Sequence, residues 1–148
     1  MWGVRLAEGE RDWSSACRLR ASGLAETVRF LGFTTDVPDL LAAADVLVSP
    51  SRYEAYGLGV QEALCRGVPA IVSSTAGIAE RYPGAMTALL LPDSENASDL
   101  AARLLDWRAN RGRFESLATG FGQTLRSLTW CEMASGMARV IEEGERTP

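Results

Sequence analysis

Short apolar runs alternate along this chain with longer stretches in which apolar residues recur at helical spacing. The runs are Thr27-Val28-Arg29-Phe30-Leu31, ended by Gly32; Asp45-Val46-Leu47-Val48-Ser49; Pro69-Ala70-Ile71-Val72-Ser73; and Thr87-Ala88-Leu89-Leu90-Leu91, ended by Pro92. Each reads as a strand. The run 45–49 is so nearly continuous in apolar character that it suits a parallel strand buried on both faces. Helices are predicted between and after the runs. A weakly amphipathic pattern covers 9–22. A second helix opens at Asp36, a plausible N-cap, with Pro38 in the first turn where its missing N–H costs nothing, and continues through Leu40 and Leu41. A third spans 58–66, with Gly67 as the stop just past its end, and a short one lies near 77–82. The last third of the chain is helical: one helix capped by Asn96 or Ser98 and carrying Leu100, Leu104, Leu105 and Trp107, one over about 112–127, and one over about 131–143. Thr129-Trp130 splits these last two.

Strands alternating with helices predict βαβ units, hence an α/β Rossmann-like parallel sheet with helices on both faces. Such open sheets bind ligands outside the carboxyl ends of their strands. Three loops would line that edge: Gly32-Phe33-Thr34, the segment 50–57, and Ser73-Ser74-Thr75-Ala76-Gly77. No linker or repeat divides the chain, so 1–148 is expected to be one domain, with only its last residues frayed.

Composition narrows the chemistry. The chain has 148 residues, 47% hydrophobic and 23% charged, with a formal net charge of −4. That is a globular composition with room for a core. No basic stripe interleaves with aromatics, so nucleic acid is not an expected partner. No apolar run is long enough to span a bilayer, and the start holds no apolar segment of signal-peptide length, so the expected compartment is the cytoplasm. Cys17, Cys65 and Cys131 are odd in number and far apart, which argues against disulfides and a zinc site and for buried reduced thiols. There is no histidine, so no Ser-His or Cys-His pair can be built. There is also no lysine, since all 15 basic residues are arginine. Schiff-base chemistry and a Walker-type lysine are thereby excluded from this chain.

The segment Tyr53-Glu54-Ala55-Tyr56-Gly57-Leu58-Gly59-Val60-Gln61-Glu62-Ala63-Leu64 follows a strand end and opens a helix. Its glycines let backbone approach a ligand closely. A helix start near Leu58 turns free N–H groups and the positive end of the helix dipole towards it, a setting that attracts phosphate. Glu62, about a turn in, can accept hydrogen bonds from vicinal hydroxyls such as a ribose diol, and Glu54, in the loop, can grip a sugar hydroxyl. A lone glutamate of either kind is more often a solvated surface residue. The full constellation reverses that preference, because Glu62 is flanked by Val60, Ala63 and Leu64, and an acid near a buried face needs a partner. Arg52 and Arg81 flank the same cleft and can meet phosphate, though solvated arginines are the commoner case. Ser49, Ser51, Ser73 and Ser74 are expected to cap strand ends. Trp107 and Trp130 are expected to be core or domain-interface anchors. Gly120-Phe121-Gly122 follows no strand and lacks a third glycine, so it is no dinucleotide fingerprint.

Ser49-Pro50-Ser51-Arg52-Tyr53-Glu54-Ala55-Tyr56-Gly57-Leu58, followed by Glu62-Ala63-Leu64, resembles the E-x7-E signature of retaining glycosyltransferases of family 4. Gly67-Val68-Pro69-Ala70-Ile71-Val72, Val28–Gly32, Asp36-Val37-Pro38, Ala44-Asp45-Val46 and Gly77-Ile78-Ala79-Glu80 are similar to further segments of that family. The resemblance covers roughly 25–143; residues 1–24 match only loosely, and about 130–148 form the final helix and tail.

The resemblance implies the C-terminal, donor-binding half of a two-lobed GT-B enzyme. The acceptor-binding N-terminal domain is absent from the sequence given. It also implies transfer from a nucleotide-diphosphate sugar to an acceptor hydroxyl with retained stereochemistry, little or no activity in this chain alone, and no cofactor or metal. By carry-over, Glu54 would be catalytic and contact the donor sugar, and Glu62 would hold the ribose. The backbone of Gly57 and Leu58 would sit by the diphosphate, with Tyr56 and Gly77 also substrate-binding and Gly32 and Phe33 near the base. The partners implied are the donor and the missing domain, and a lipid-linked or peripheral-membrane acceptor at the inner face of a membrane is left open. Thr75-Ala76-Gly77 departs from the family, which commonly has two glycines there, and the arginine and lysine that usually reach the diphosphate just upstream are missing. Two other classes stay open: a non-catalytic nucleotide-binding or interaction module, and a nucleotide-sugar epimerase lobe, which the lack of histidine disfavours.

Overall fold

The structure, a computed structural model, describes residues 23, 27–28, 31, 34–127 and 129–144. The chain divides into two compact units, Met1–Ala43 and Ala44–Pro148. Helix α1, Val37–Ala42, belongs to the first. Asp36 stands at its N-cap and proline in its opening turn, as expected, but the Asp36 side chain makes no capping bond; instead the Asp36 N–H donates to Thr34 Oγ1 at 3.1 Å. The expected helix over 9–22 lies outside the described residues. Of the first expected strand, Thr27, Val28 and Leu31 are described and none is strand.

The second unit holds a parallel sheet of three strands, β1 (Leu47–Ser49), β2 (Ala70–Ser73) and β3 (Leu90–Leu91), in that spatial order. Leu47, Val48 and Ser49 pair with Ala70, Ile71 and Val72, and Val72 and Ser73 pair with Leu90 and Leu91. All four residues of β2 are buried. β1 is only half-buried, which corrects the expectation of a strand covered on both faces: among the described residues it is an edge of the sheet.

Helix α2, Leu58–Cys65, connects β1 to β2. It ends as the sequence predicts. Gly67 has φ +78°, its N–H donates to Leu64 O at 2.9 Å, and the Val68 N–H reaches back to Ala63 O at 3.0 Å. This pair of bonds satisfies carbonyls the helix leaves open, and it needs a left-handed residue at the turn. Two 3₁₀ helices, Gly77–Arg81 and Gly84–Leu89, connect β2 to β3. The second takes most of the run expected to be strand. Met86 and Leu89 are both fully buried at 3₁₀ spacing, and Thr87 Oγ1 bonds Gly84 O at 3.0 Å. A run of apolar residues does not by itself distinguish a strand from a buried helical turn.

Helices α3 (Ala97–Ala109), α4 (Arg111–Arg126) and α5 (Trp130–Gly144) follow. Asn96, not Ser98, caps α3, accepting from the Asp99 N–H at 3.0 Å. Thr129 and Glu132 form a reciprocal capping box at the start of α5, with bonds of 2.7 and 3.2 Å. The core joins Val60 and Leu64 of α2, the whole apolar face of β2, Ile78, Tyr82, Met86, Leu89, and Phe114, Ala118, Phe121 and Leu125 of α4. Trp107 packs against it, while Trp130 is 82% exposed and anchors no core. Of the cysteines expected to be buried, Cys65 is half-buried and Cys131 exposed, and Cys17 lies outside the described residues. Gly120-Phe121-Gly122 lies within α4, with Phe121 edge-on to the Tyr82 ring at 5.6 Å.

Candidate functional site

The carboxyl ends of β1 and β2 deliver two loops that meet. The first carries Arg52 to Gly57 and the second Ser74 to Gly77. The Gly77 N–H donates to Glu54 O at 3.4 Å and the Ile78 N–H to Tyr56 O at 2.7 Å. Gly57 takes φ +103°, a value that glycine adopts freely and other residues do not. That turn aims the chain into α2 with Gly57 as N-cap and no side chain capping it. The first-turn N–H groups of α2 therefore have neither an earlier carbonyl nor a cap to bond. They are left with partial positive charge at the strand-end edge.

Glu54 is half-buried, and its carboxylate accepts from the Tyr56 N–H at 3.4 Å. Tyr56 Oη donates to Gln61 Oε1 at 2.5 Å, which bridges the loop to the first turn of α2. Leu58 is 64% exposed. Glu62 is exposed, and it makes no hydrogen bond or ion pair among the described residues. This corrects the expectation of an acid at a buried face. Val60, Ala63 and Leu64 turn inward, Glu62 turns outward, and its carboxylate is available because solvent holds it rather than because burial demands a partner.

Glu54, Tyr56, Gly57, Leu58 and Gly77 are thus brought together, with Glu62 a turn further along the same helix. Gly32 and Phe33 lie outside the described residues. Arg52 pairs with Glu95 at the surface. Ser49 and Ser51 face each other at 3.5 Å, and Ser73 Oγ is buried with no partner among the described residues. No group of three or more metal-ligating side chains occurs among the described residues. No described helix is long and apolar enough to cross a membrane.

Beside this edge lies an open groove of about 780 Å³, lined by Tyr56, Leu58, Gln61 and Arg81 on one side and by Leu125, Arg126, Trp130 and Met133 on the other. Gln61, Arg126 and Met133 carried no signal in the sequence reading. On α5, Trp130, Met133, Met137, Val140 and Ile141 form a stripe at helical spacing, all exposed.

The parallel sheet and its paired strand-end loops define an open α/β lobe of the kind that takes ligands at that edge. The sequence profile described as "Glycosyl transferases group 1" matches residues 6–110, and the chain belongs to that family. It is 30% identical over 129 residues to the lipopolysaccharide core biosynthesis mannosyltransferase LpsB of Rhizobium meliloti, covering 84% of this chain and 36% of that protein. It is 31% identical over 146 residues to a D-inositol 3-phosphate glycosyltransferase of Streptomyces bingchenggensis, covering 97% and 31%. The chain thus spans about a third of the length of these curated relatives. Among solved structures it resembles Anabaena Alr3699/HepE in complex with UDP, with TM-score 0.79, 20% identity, and 93% of this chain and 38% of that one covered. Sucrose-phosphate synthase from Thermosynechococcus elongatus gives TM-score 0.74 at 24% identity, with 95% and 35% covered. These likenesses establish the fold, a Rossmann-like lobe of the GT-B architecture.

Proposed function

We propose that this chain is the donor-binding lobe of a retaining glycosyltransferase that moves a sugar from a nucleoside-diphosphate sugar to an acceptor hydroxyl. The observation that carries the reading is the uncapped start of α2 at Gly57, with Glu54 just before it and the exposed Glu62, which has no partner among the described residues, one turn after it. In this reading the diphosphate lies against the first-turn N–H groups of α2. These stabilise the negative charge that builds on the leaving group as the glycosidic bond breaks. Glu62 accepts from the two ribose hydroxyls. Glu54 accepts from hydroxyls of the transferred sugar and orients it. Attack by the acceptor comes from the face the leaving group departs, without a protein nucleophile. No metal or cofactor takes part.

Several observations support this beyond the geometry. The family is one of transferases, and the Anabaena relative in fold is solved with UDP and with UDP and glucose. The acceptor is assigned to residues outside this chain, which covers about a third of its relatives. The stripe on α5 is assigned to packing against that remainder. Transfer activity is not expected of these 148 residues alone.

Titrating the chain with UDP-glucose, GDP-mannose and an ADP-sugar, read by thermal shift or amide chemical shift, tests the reading. A charge-assisted hydrogen bond contributes about 1.5–3 kcal/mol. Glu62→Ala should therefore weaken the preferred donor about 10- to 100-fold. Equal affinity in wild type and variant overturns the ribose role.

A further inference from the structure

We infer that Gly77 is a positioning residue for Glu54; this rests on the donor-site reading above. Gly77 is not in the left-handed region, since Gly57 and Gly67 alone among the described glycines have positive φ. Its requirement is for space. A Cβ there would lie 2.4 Å from Ala55 O and 3.2 Å from Tyr56 Cα. Both are backbone atoms, so no rotamer change relieves the overlap, and the segments carrying Gly77 and Glu54 have to move apart.

The contact is mutual. A Cβ on Gly57 would lie 3.0 Å from Ile78 Cγ2 and 3.6 Å from Glu54 Cγ, and Ile78 is fully buried beneath the loop. With the Gly77 N–H on Glu54 O and the Ile78 N–H on Tyr56 O, segments 54–57 and 77–78 form one interlocked unit. Its bonds carry the neighbour relation of β1 and β2 past the strand ends. Glu54 depends on that unit, because among the described residues its carboxylate is otherwise held only by the Tyr56 N–H at 3.4 Å. The same geometry accounts for Ala76 standing where a second glycine is common. Ala76 is 1% exposed, its methyl buried in the core, whereas a Cβ at 77 would strike the Glu54 loop.

The test uses Gly77→Ala, with Gly84→Ala as control, since a Cβ on Gly84 meets nothing within 4 Å. In wild type, the Ile78 amide should exchange with solvent as slowly as the β2 amides; fast exchange there overturns the inference whether or not the variant folds. In Gly77→Ala, the resonances of 54–59 should shift and Ile78 exchange should accelerate about tenfold or more, with β2 unchanged. Wild-type-like shifts and exchange overturn it. A merely structural glycine would weaken UDP and UDP-glucose alike. A positioning glycine should weaken UDP-glucose more than UDP, lowering the UDP-glucose to UDP affinity ratio about tenfold or more, as Glu54→Gln should, because a misplacement of about 1 Å is costly at the group that meets the sugar. If wild type binds neither ligand, nor GDP-mannose and GDP, the donor reading fails, while the exchange data still decide the positioning role.

Discussion

Tyr82 shows how much one side chain can carry in this fold. Its ring stacks edge-on against Phe121 and its hydroxyl donates to Ala70 O at 2.9 Å, so it ties the first 3₁₀ helix to the start of β2. Burial raises the phenol pKa well above its ordinary value, because the ionised form loses its hydration. The folded chain thus keeps the proton to higher pH than the unfolded one. The stabilisation is complete below about pH 10, where the unfolded phenol is neutral too, and is lost as pH rises beyond it towards the folded value. Tyr82→Phe should cost about 1 kcal/mol at about pH 8, and the gap to wild type should narrow at about pH 11. Urea midpoints at the two pH values measure both quantities. Residue chemistry of this kind was only partly legible in the sequence. Gly67 could be read as a helix stop because it sits just past an apolar helical pattern. Gly77 could be placed in a strand-end loop, but its lack of a Cβ matters only where two loops meet, and that contact is tertiary. Glu62 was singled out as an acid near a buried face, a reason the structure reverses: it faces solvent.

Elements depend on packing more than on their own patterns. Helices α2 and α4 cross most closely at Gly122, where a Cβ would lie 2.1 Å from Leu64 O and 2.9 Å from its carbonyl carbon. Alanine would gain about 1 kcal/mol in helix propensity, but overlap with fixed backbone costs about 1–3 kcal/mol or more. The steric cost wins here, so Gly122→Ala should lower the melting temperature. Gly120→Ala, two residues away with open space around it, should raise stability by up to about 1 kcal/mol. The opposite signs, read by thermal denaturation, separate close packing from propensity. The helices of the last third were legible because their apolar spacing is long and regular and Asn96 is a strong cap. The strands were legible in order but not in length. The run 87–91 satisfied a strand pattern, yet Met86 and Leu89 are buried through a 3₁₀ turn and only Leu90 and Leu91 reach the sheet.

At the scale of the molecule, the 105-residue second unit (from 44 to 148) gathers its chemistry at one edge. Two strand-end loops lock together there, a helix begins without a cap, and a groove opens beside them towards α5. The α5 stripe and Trp130 are large apolar side chains left in water, a pattern that marks a contact surface. The sequence marked Trp130 as a core or domain-interface anchor but did not show that it would stand 82% exposed, because exposure depends on what packs opposite. The two loops are joined by backbone hydrogen bonds without any ligand present, and such pre-ordering lowers the cost of binding at a site built on them.

Mapping the amide shifts of the chain during titration with a nucleoside-diphosphate sugar, UDP-glucose and GDP-mannose in parallel, tests the central claim most directly. The account predicts that one of them moves the resonances of 54–62 and 74–78 together, with the largest changes at Gly57, Leu58 and Gly59. Shifts confined to the groove at Arg126, Trp130 and Met133, or none at all with either donor, would contradict it.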